Sequence, residues 1–436
     1  LKRVVLLAPY FLPRRRVGSW RPFKFAIHLQ EYGWEPHIIT IQEKKETLTA
    51  READLLADIP IYEIKSPIDF THQIGRQLEY NGSNTYALLK KTASKKNKFK
   101  PVLNWIDKHF PIDTWLPLLF FRQEVIKKFI ETIDPHLLWS TGDPWSSHWL
   151  AKKLANQYDL PWVADFRDPW TLGDLKVKQR ANFVRGIDKK QEKSVIKESS
   201  ALTFTSHQTE KLYARHYPSV NEKGNTIFNS FDSTLFKDEM DAEALFDEKH
   251  LNLIFFGKFR PLSPATPFIE ILSKMKQKHP DQWQKIRMHS FGTLSKREIS
   301  LAKAKGVYQN FVSFKPIALE NALPVLRQAD VLWLSTHPGR KNIIPAKLWD
   351  YLAARRPILS VAPNPEIEKI LQQTGTGVQL QTNHQTAVVK LLRECVCAKS
   401  ENSSFPISTV FDDQAIKQYD ANVTTQKLAH IFDDLT

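Results

Sequence analysis

Short apolar runs alternate along the chain with longer segments whose apolar positions share one helical face. Val4–Ala8 is a continuous apolar run, as a strand buried on both faces requires. Pro9, Pro13 and Gly18 break it. Arg21–Tyr32 then has helical periodicity, with Phe23, Ala26, Ile27 and Leu29 at core-compatible positions. Gly33 supplies a stop and His37–Ile41 the next strand, completing the βαβ unit of a parallel sheet. The same alternation predicts strands at His136–Ser140, Trp162–Asp165 and Ala201–Thr205. It places helices at Ser146–Tyr158, Asn182–Glu198 and Gln208–Tyr217, the last N-capped by Ser206.

The second half repeats this logic. Strands are expected at Leu251–Phe256, Lys285–Phe291, Val312–Phe314, Val331–Ser335, Ile358–Val361 and Gly377–Leu380. Helices are expected at Pro267–Lys278, Lys296–Lys305, Glu320–Arg327, Ala346–Ala354, Pro365–Thr374 and near Gln385–Val396, with a terminal helix at Gln414–Leu435. Two successive α/β patterns meeting near Asn229–His250 predict two Rossmann-like domains, 1–230 and 231–410, followed by a closing segment 411–436. Between about 48 and 121 the pattern is irregular and reads as short strands, helices and a long insertion.

Composition narrows the function classes. With 42% apolar and 25% charged residues the chain has a globular balance. It contains no apolar run long enough for a membrane-spanning helix, and Leu1–Leu7 is too short for a signal peptide. Cys395 and Cys397 are too close in sequence for an ordinary disulfide, and two thiols alone make no zinc site. Reduced thiols fit a cytoplasmic protein. The net charge of +15 fits nucleic acid, an anionic membrane surface or phosphorylated substrates. No zinc-finger, RRM or helix-turn-helix signature is present, so nucleic acid is not expected as a partner. Lys90, Lys91, Lys95, Lys96, Lys98 and Lys100 form a basic run, followed by Phe99, Trp105, Phe110, Trp115 and Leu116–Phe121. That pairing suits a contact with the inner face of an anionic membrane, against the plainer reading of a solvated loop.

Parallel sheets bind ligands at the carboxyl ends of their strands, and the candidate residues gather there. Gly18, beside Arg14, Arg15 and Arg16, offers close backbone approach at the start of a helix. His148 lies early in the helix after the His136–Ser140 strand, placed to bond a sugar hydroxyl or handle a proton. Asp165, Arg167 and Asp168 put two carboxylates and a guanidinium at one strand end beside Trp170. A structural salt bridge between Arg167 and an Asp is the competing reading. In the second half, Gly257 is followed by Lys258 and Arg260, a small residue among cations that suits a diphosphate. Asn342, Ile343 and Ile344 form a loop entering the helix that carries Lys347 and Asp350. A lysine in the first turn opposes the helix dipole, a conflict resolved by an anion at the helix N-terminus.

On these residues the chain resembles a glycosyltransferase of the GT-B fold, similar to family 4 and its polysaccharide-biosynthesis relatives. The resemblance spans nearly the whole chain. Its most specific segments are Asp165-Phe166-Arg167-Asp168-Pro169-Trp170 and Pro345-Ala346-Lys347-Leu348-Trp349-Asp350-Tyr351-Leu352-Ala353. Ala8-Pro9-Tyr10-Phe11 with Gly18-Ser19, Asn229-Ser230-Phe231-Asp232 and Gly292 support it. It implies two Rossmann-like domains facing a cleft, with the terminal helix crossing back to the first. It implies a nucleotide-sugar donor on the second domain, a glycan or lipid-linked acceptor on the first, and retention of configuration. No cofactor or obligatory metal is implied, because Lys258, Arg260 and Lys347 neutralise the leaving diphosphate. Asp350 matches the second Glu of the family's Glu-x7-Glu pattern, and Asn342 replaces the first, which is associated with the donor sugar. Two other readings stay open: a nucleotide-sugar epimerase of the same fold, and a nonenzymatic basic protein binding membrane or nucleic acid. The last predicts basic residues spread over one face, not gathered at strand ends.

Overall fold

The apolar run at the N-terminus forms β1 (Lys2–Leu7), whose last four residues are fully covered. The computed structural model describes residues 1–42, 46–65, 105, 108–113, 115–173, 180–236, 244–260, 262–381, 384–407 and 410–436. With β1, the strands β2 (Trp34–Ile41), β3 (Ile61–Ile64), β4 (Leu137–Gly142), β5 (Trp162–Phe166), β6 (Ala201–Phe204) and β7 (Gly224–Thr226) form a seven-stranded sheet. Their order is β3-β2-β1-β4-β5-β6-β7, and every pairing is parallel. Val4 lies between Pro36 and Leu137, so β1 is central. The strand order reverses between β1 and β4, which opens the crevice where such sheets take ligands.

A second sheet contains β8 (Leu251–Phe255), β9 (Ile286–Ser290), β10 (Phe311–Ser313), β11 (Val331–Ser335), β12 (Ile358–Val361) and β13 (Gly377–Leu380). Its order, β10-β9-β8-β11-β12-β13, is again wholly parallel and reverses between β8 and β11. Both sheets are therefore Rossmann-like, as the alternation of patterns predicts. The chain divides into one unit of Leu1–Ser230 with Asp420–Thr436 and another of Phe231–Tyr419. The terminal helix Ala421–Asp433 belongs to the first unit. Its Phe432 ring lies 5.2 Å from that of Trp34, and Asn422 accepts a hydrogen bond from the Tyr32 hydroxyl at 2.5 Å.

Several elements coincide with the sequence reading: the helices Ser146–Tyr158, Asn182–Glu198 and Pro365–Thr374, and strands β11, β12 and β13. The Ser206 side chain accepts from Thr209 N and caps the helix His207–His216. Others differ. The helix expected from Arg21 begins at Val17 and runs through Pro22, ending in a 3-10 turn at Leu29–Tyr32. Gly18 is thus in a helix's first turn, not in a loop. The helix expected at Glu320–Arg327 is a 3-10 turn, Leu319–Asn321, followed by Ala322–Leu326. The terminal helix is two, Asp413–Lys417 and Ala421–Asp433, because Asp420 is extended and caps a new start through Asn422 N. Within the segment read as irregular, Thr49 and Glu52 form a capping box for Ala50–Leu55. The 18-residue helix Leu116–Ile133 starts there too. The Lys90–Lys100 run lies outside the described residues. Among the described residues no helix is long and apolar enough to cross a membrane.

One ion pair ties the first unit's central elements together. Asp165 at the end of β5 is fully buried and accepts from Arg21 Nη2 at 2.9 Å, Thr141 Oγ1 at 2.8 Å and Thr203 Oγ1 at 2.7 Å. The helix Val17–His28 is thereby fastened across β4, β5 and β6. Burial alone would raise the Asp165 carboxyl, but the Arg21 charge and the three hydrogen-bonding side chains hold it below its ordinary 3.8. Its contribution to stability is present above that ordinary value and is lost as pH falls through the lower folded value. Arg21→Met leaves the carboxylate buried without its cation, so it should cost about 3–5 kcal/mol at neutral pH. In that variant burial dominates, Asp165 protonates more readily, and the deficit against wild type should narrow on acidification. Urea unfolding at a series of pH values measures both.

Candidate functional site

The second sheet supplies a cationic edge. After β8 the chain turns at Gly257 with φ +102°, a left-handed conformation that side chains other than glycine's tolerate poorly. Lys347, at the start of the helix Lys347–Ala354, comes alongside: a Cβ at Gly257 would lie 3.7 Å from its Nζ. That ammonium sits 4.7 Å from the centre of the Phe255 ring, at the end of β8. The helix is held there by Tyr351, whose buried hydroxyl accepts from Phe256 N at 2.9 Å and donates to Trp333 O at 3.2 Å. One tyrosine therefore joins the helix to β8 and β11, the two strands that flank the reversal in strand order.

Charge at this edge is not balanced. Burial lowers the Lys347 ammonium to about 8, the cations of Arg260 and Arg340 push the same way, and among the described residues Asp350 opposes them. Among the described residues, Lys258, Arg260 and Lys347 form no side-chain ion pair. Lys258 packs its backbone against Gly292, at the end of β9, where a Cβ would come within 2.9 Å of its Cα. The structure thus brings Gly257, Lys258, Lys347 and Asp350 together around the end of β8, with Arg260 close enough to act on Lys347 electrostatically. Asn342 and Ile343 are half-buried and Ile344 buried in the loop entering the helix. No side chain caps the helix N-terminus. Leu348 N and Trp349 N donate within the turn, to Pro345 O at 3.0 Å and Ala346 O at 3.3 Å, so what suits this edge to an anion is its cations, which form no ion pair among the described residues.

The first sheet's edge is arranged differently. Its charges are mostly spent on structure. Asp165 carries the buried pair with Arg21, and Arg167 Nη2 lies 3.7 Å from Asp143 Oδ1, so both charged groups at this strand end are in salt bridges. Arg14 is fully buried over the Tyr10 and Trp115 rings, and Arg15 pairs with Glu52. Neither adds open positive charge, which corrects the reading of the arginine loop. Arg167 donates through Nε to Gly142 O at 3.0 Å and through Nη2 to Asp143 O. A Cβ at Gly18 would overlap Arg167 Nη1, so the close approach that Gly18 allows is used by this guanidinium. Asp168, next along, is half-exposed and takes no hydrogen bond from the described residues. His148 is wholly buried, with Nδ1 2.7 Å from Ser140 Oγ and its ring stacked on Phe166. Burial lowers its pKa to about 3, so the imidazole is neutral, and Nε2 has no partner.

The segment bearing Arg167 and Asp168 is anchored by residues that the sequence reading missed. Glu192 is buried in the helix Asn182–Glu198 and accepts from Thr171 N and Thr171 Oγ1, both at 2.7 Å. It also accepts from the hydroxyls of Tyr213 and Tyr217, both at 2.9 Å. Tyr213 in turn accepts from Trp170 N at 2.7 Å. A lone Glu in a charged helix carries no sequence signal for this. The only hint is that Trp170-Thr171 follows the strand end directly.

No protein-family model and no curated protein sequence matches the chain. Solved structures do. Sucrose-phosphate synthase from Thermosynechococcus elongatus superposes with a TM-score of 0.67 at 12% identity, over 100% of this chain and 99% of that one. HepE from Anabaena, in complex with UDP and glucose, gives 0.65 at 10% identity over 100% of both chains. A glycosyltransferase from Rickettsia africae gives 0.61 at 13% identity, over 100% of this chain and 98% of that one. The likeness is one of fold, and it is the GT-B fold that the sequence resemblance implies.

Tyr351→Phe removes the hydroxyl that bridges Phe256 N and Trp333 O. It should cost about 1–3 kcal/mol by leaving a buried N–H unpaired. Denaturant unfolding of the variant against wild type measures the loss.

Proposed function

We propose that this protein is a glycosyltransferase that takes a sugar from a nucleotide-sugar donor. The observation that carries the proposal is the unpaired cation set, Lys258, Arg260 and Lys347, gathered at the carboxyl end of β8. A diphosphate is the ligand whose charge and size match it, at the positive end of the Lys347 helix dipole. These groups meet the charge that develops on a leaving nucleoside diphosphate, so the reaction needs no bound metal and no other cofactor. Asp350, one turn into the helix, accepts hydroxyl groups of the donor's ribose, and Asn342, Ile343 and Ile344 line the approach to the sugar. The fold is shared with HepE, whose structure contains UDP and glucose, and this supports the same donor class.

The acceptor is a glycan or a lipid-linked sugar taken by the first unit, as part of cell-surface polysaccharide synthesis at the inner face of a membrane. There Asp168 is the carboxylate with open valence, and Arg167 beside it orients an anionic or polyhydroxyl group. His148, neutral and buried, offers Nε2 as a neutral hydrogen-bonding group and not as an acid. Asp165 acts on the site only by holding the helix that carries Gly18. Retention of configuration is the expected stereochemistry.

A thermal-shift screen against nucleotides and nucleotide sugars tests the donor assignment, since a ligand that binds the folded state raises its melting temperature by mass action. Stabilisation by a nucleoside diphosphate or its sugar is expected, with Lys347→Ala weakening binding roughly tenfold or more. No shift with any of them would sink the donor site. An unchanged shift in Lys347→Ala would remove that residue from it. Product analysis with the stabilising donor then separates sugar transfer from epimerisation.

A further inference from the structure

Scattered exposed apolar residues are ordinary on a protein surface. In the first unit they are large and gathered: Trp105 is 62% exposed, Phe120 47%, Phe121 74%, Phe183 59% and Ile187 40%. The Trp105 ring stacks on His109 at 4.8 Å, and His109 faces Phe183 at 6.3 Å. Hydrogen bonds connect these residues to the remainder. Ala181 N donates to Lys108 O at 3.0 Å, and Arg180 Nη1 donates to Ile112 O at 3.0 Å. The chain from 108 to 113 is thus laced to the start of the helix Asn182–Glu198. The helix Leu116–Ile133 carries Phe120 and Phe121 in its first turns. Phe120 packs beside Phe121 at 5.5 Å and Trp149 at 6.2 Å. Phe121 itself points out.

The exposed charges around this patch are mostly basic. Lys108, Lys153, Lys189 and Lys190 are exposed, and Lys153 lies 4.5 Å over the Trp149 ring. The neighbouring acids are turned in and occupied. Asp113 accepts from Ser146 N and Oγ, and Asp188 accepts from Ile112 N at 2.7 Å and pairs with Arg180 at 3.3 Å. Glu192 is buried under the two tyrosines, and the exposed Glu124 pairs with Lys127. The three helix starts at Leu116, Ser146 and Asn182 follow the crossover logic of a parallel sheet, which puts them at its carboxyl edge, where Asp168 lies.

We propose that this aromatic and lysine-bearing face docks on an anionic lipid bilayer. Tryptophan and phenylalanine side chains settle into the interface between headgroups and acyl chains, and lysines beside them meet the lipid phosphates. A second copy of the same face would oppose like charges, which disfavours self-association. The surface deepens the proposed reading of a lipid-linked acceptor, because it sets the first unit's open carboxylate edge beside the membrane. Its test is read independently of nucleotide binding.

The full chain is sedimented at low salt with vesicles of phosphatidylcholine alone, and with vesicles containing about 30% phosphatidylglycerol. The variant Trp105→Ser/Phe121→Ser/Phe183→Ser changes only exposed side chains, so its melting temperature and nucleotide-sugar shift should match wild type. Wild type should bind the anionic vesicles at least roughly tenfold more tightly than neutral ones, and the variant should lose about tenfold or more. Salt should weaken the wild-type binding. The proposal is overturned if wild type binds neither vesicle, if it binds both equally, or if the variant binds as well as wild type. A lipid-free dimer that the variant abolishes would also overturn it, by assigning the face to a second copy. Vesicle binding without any nucleotide shift would sink the donor reading and leave this surface standing.

Discussion

A half-buried ammonium with two guanidinium groups near it and one carboxylate opposing is an unstable arrangement unless something else brings negative charge. That is the condition of Lys347. The fold creates this condition. Tyr351 clamps its helix onto β8 and β11, and Gly257 turns the chain so that the lysine passes close by. Proteins seldom leave buried charge unpaired, because desolvation is costly. In the proposed function, an anion with more than one charge offsets this imbalance.

The first unit shows the opposite economy. Its deepest carboxylates, Asp165 and Glu192, are surrounded by donors, and they fasten elements to one another. The pair of Asp165 and Arg21 fixes the helix containing Gly18. Glu192 fixes the loop containing Arg167 and Asp168. Among the described residues, Asp168 at that edge takes no hydrogen bond, and a lone carboxylate suits a neutral or hydroxyl-rich partner better than a polyanion. The two units thus divide the chemistry: the second holds unpaired positive charge, and the first holds a positioned acid beside a guanidinium.

Much of this was legible in the sequence. The long helices and buried strands have unambiguous periodicity, and strands buried on both faces read as continuous apolar runs. The cluster at Gly257–Arg260 and the helix at Lys347 could be named because their chemistry is local. What escaped was long-range pairing. The role of Asp165 depends on Arg21, 144 residues away, and nothing in the local pattern distinguishes that partner from Arg167. Gly18 looked like a ligand approach because a glycine does not declare which group comes close to it. The helix from Val17 was missed in its first turn because Gly18 and Pro22 are both breakers by propensity, and burial against the sheet outweighs them. Strands β3 and β7 are too short to show a period.

The central claim is that Lys347 waits for a diphosphate. Its titration can be followed directly by carbon NMR of lysine-labelled protein, with and without UDP. The account predicts that the Lys347 ammonium titrates near 8 in the free protein and moves up toward the ordinary 10.5 when UDP is bound. A Lys347 that titrates near 10.5 in the free protein, and does not respond to UDP, would contradict it.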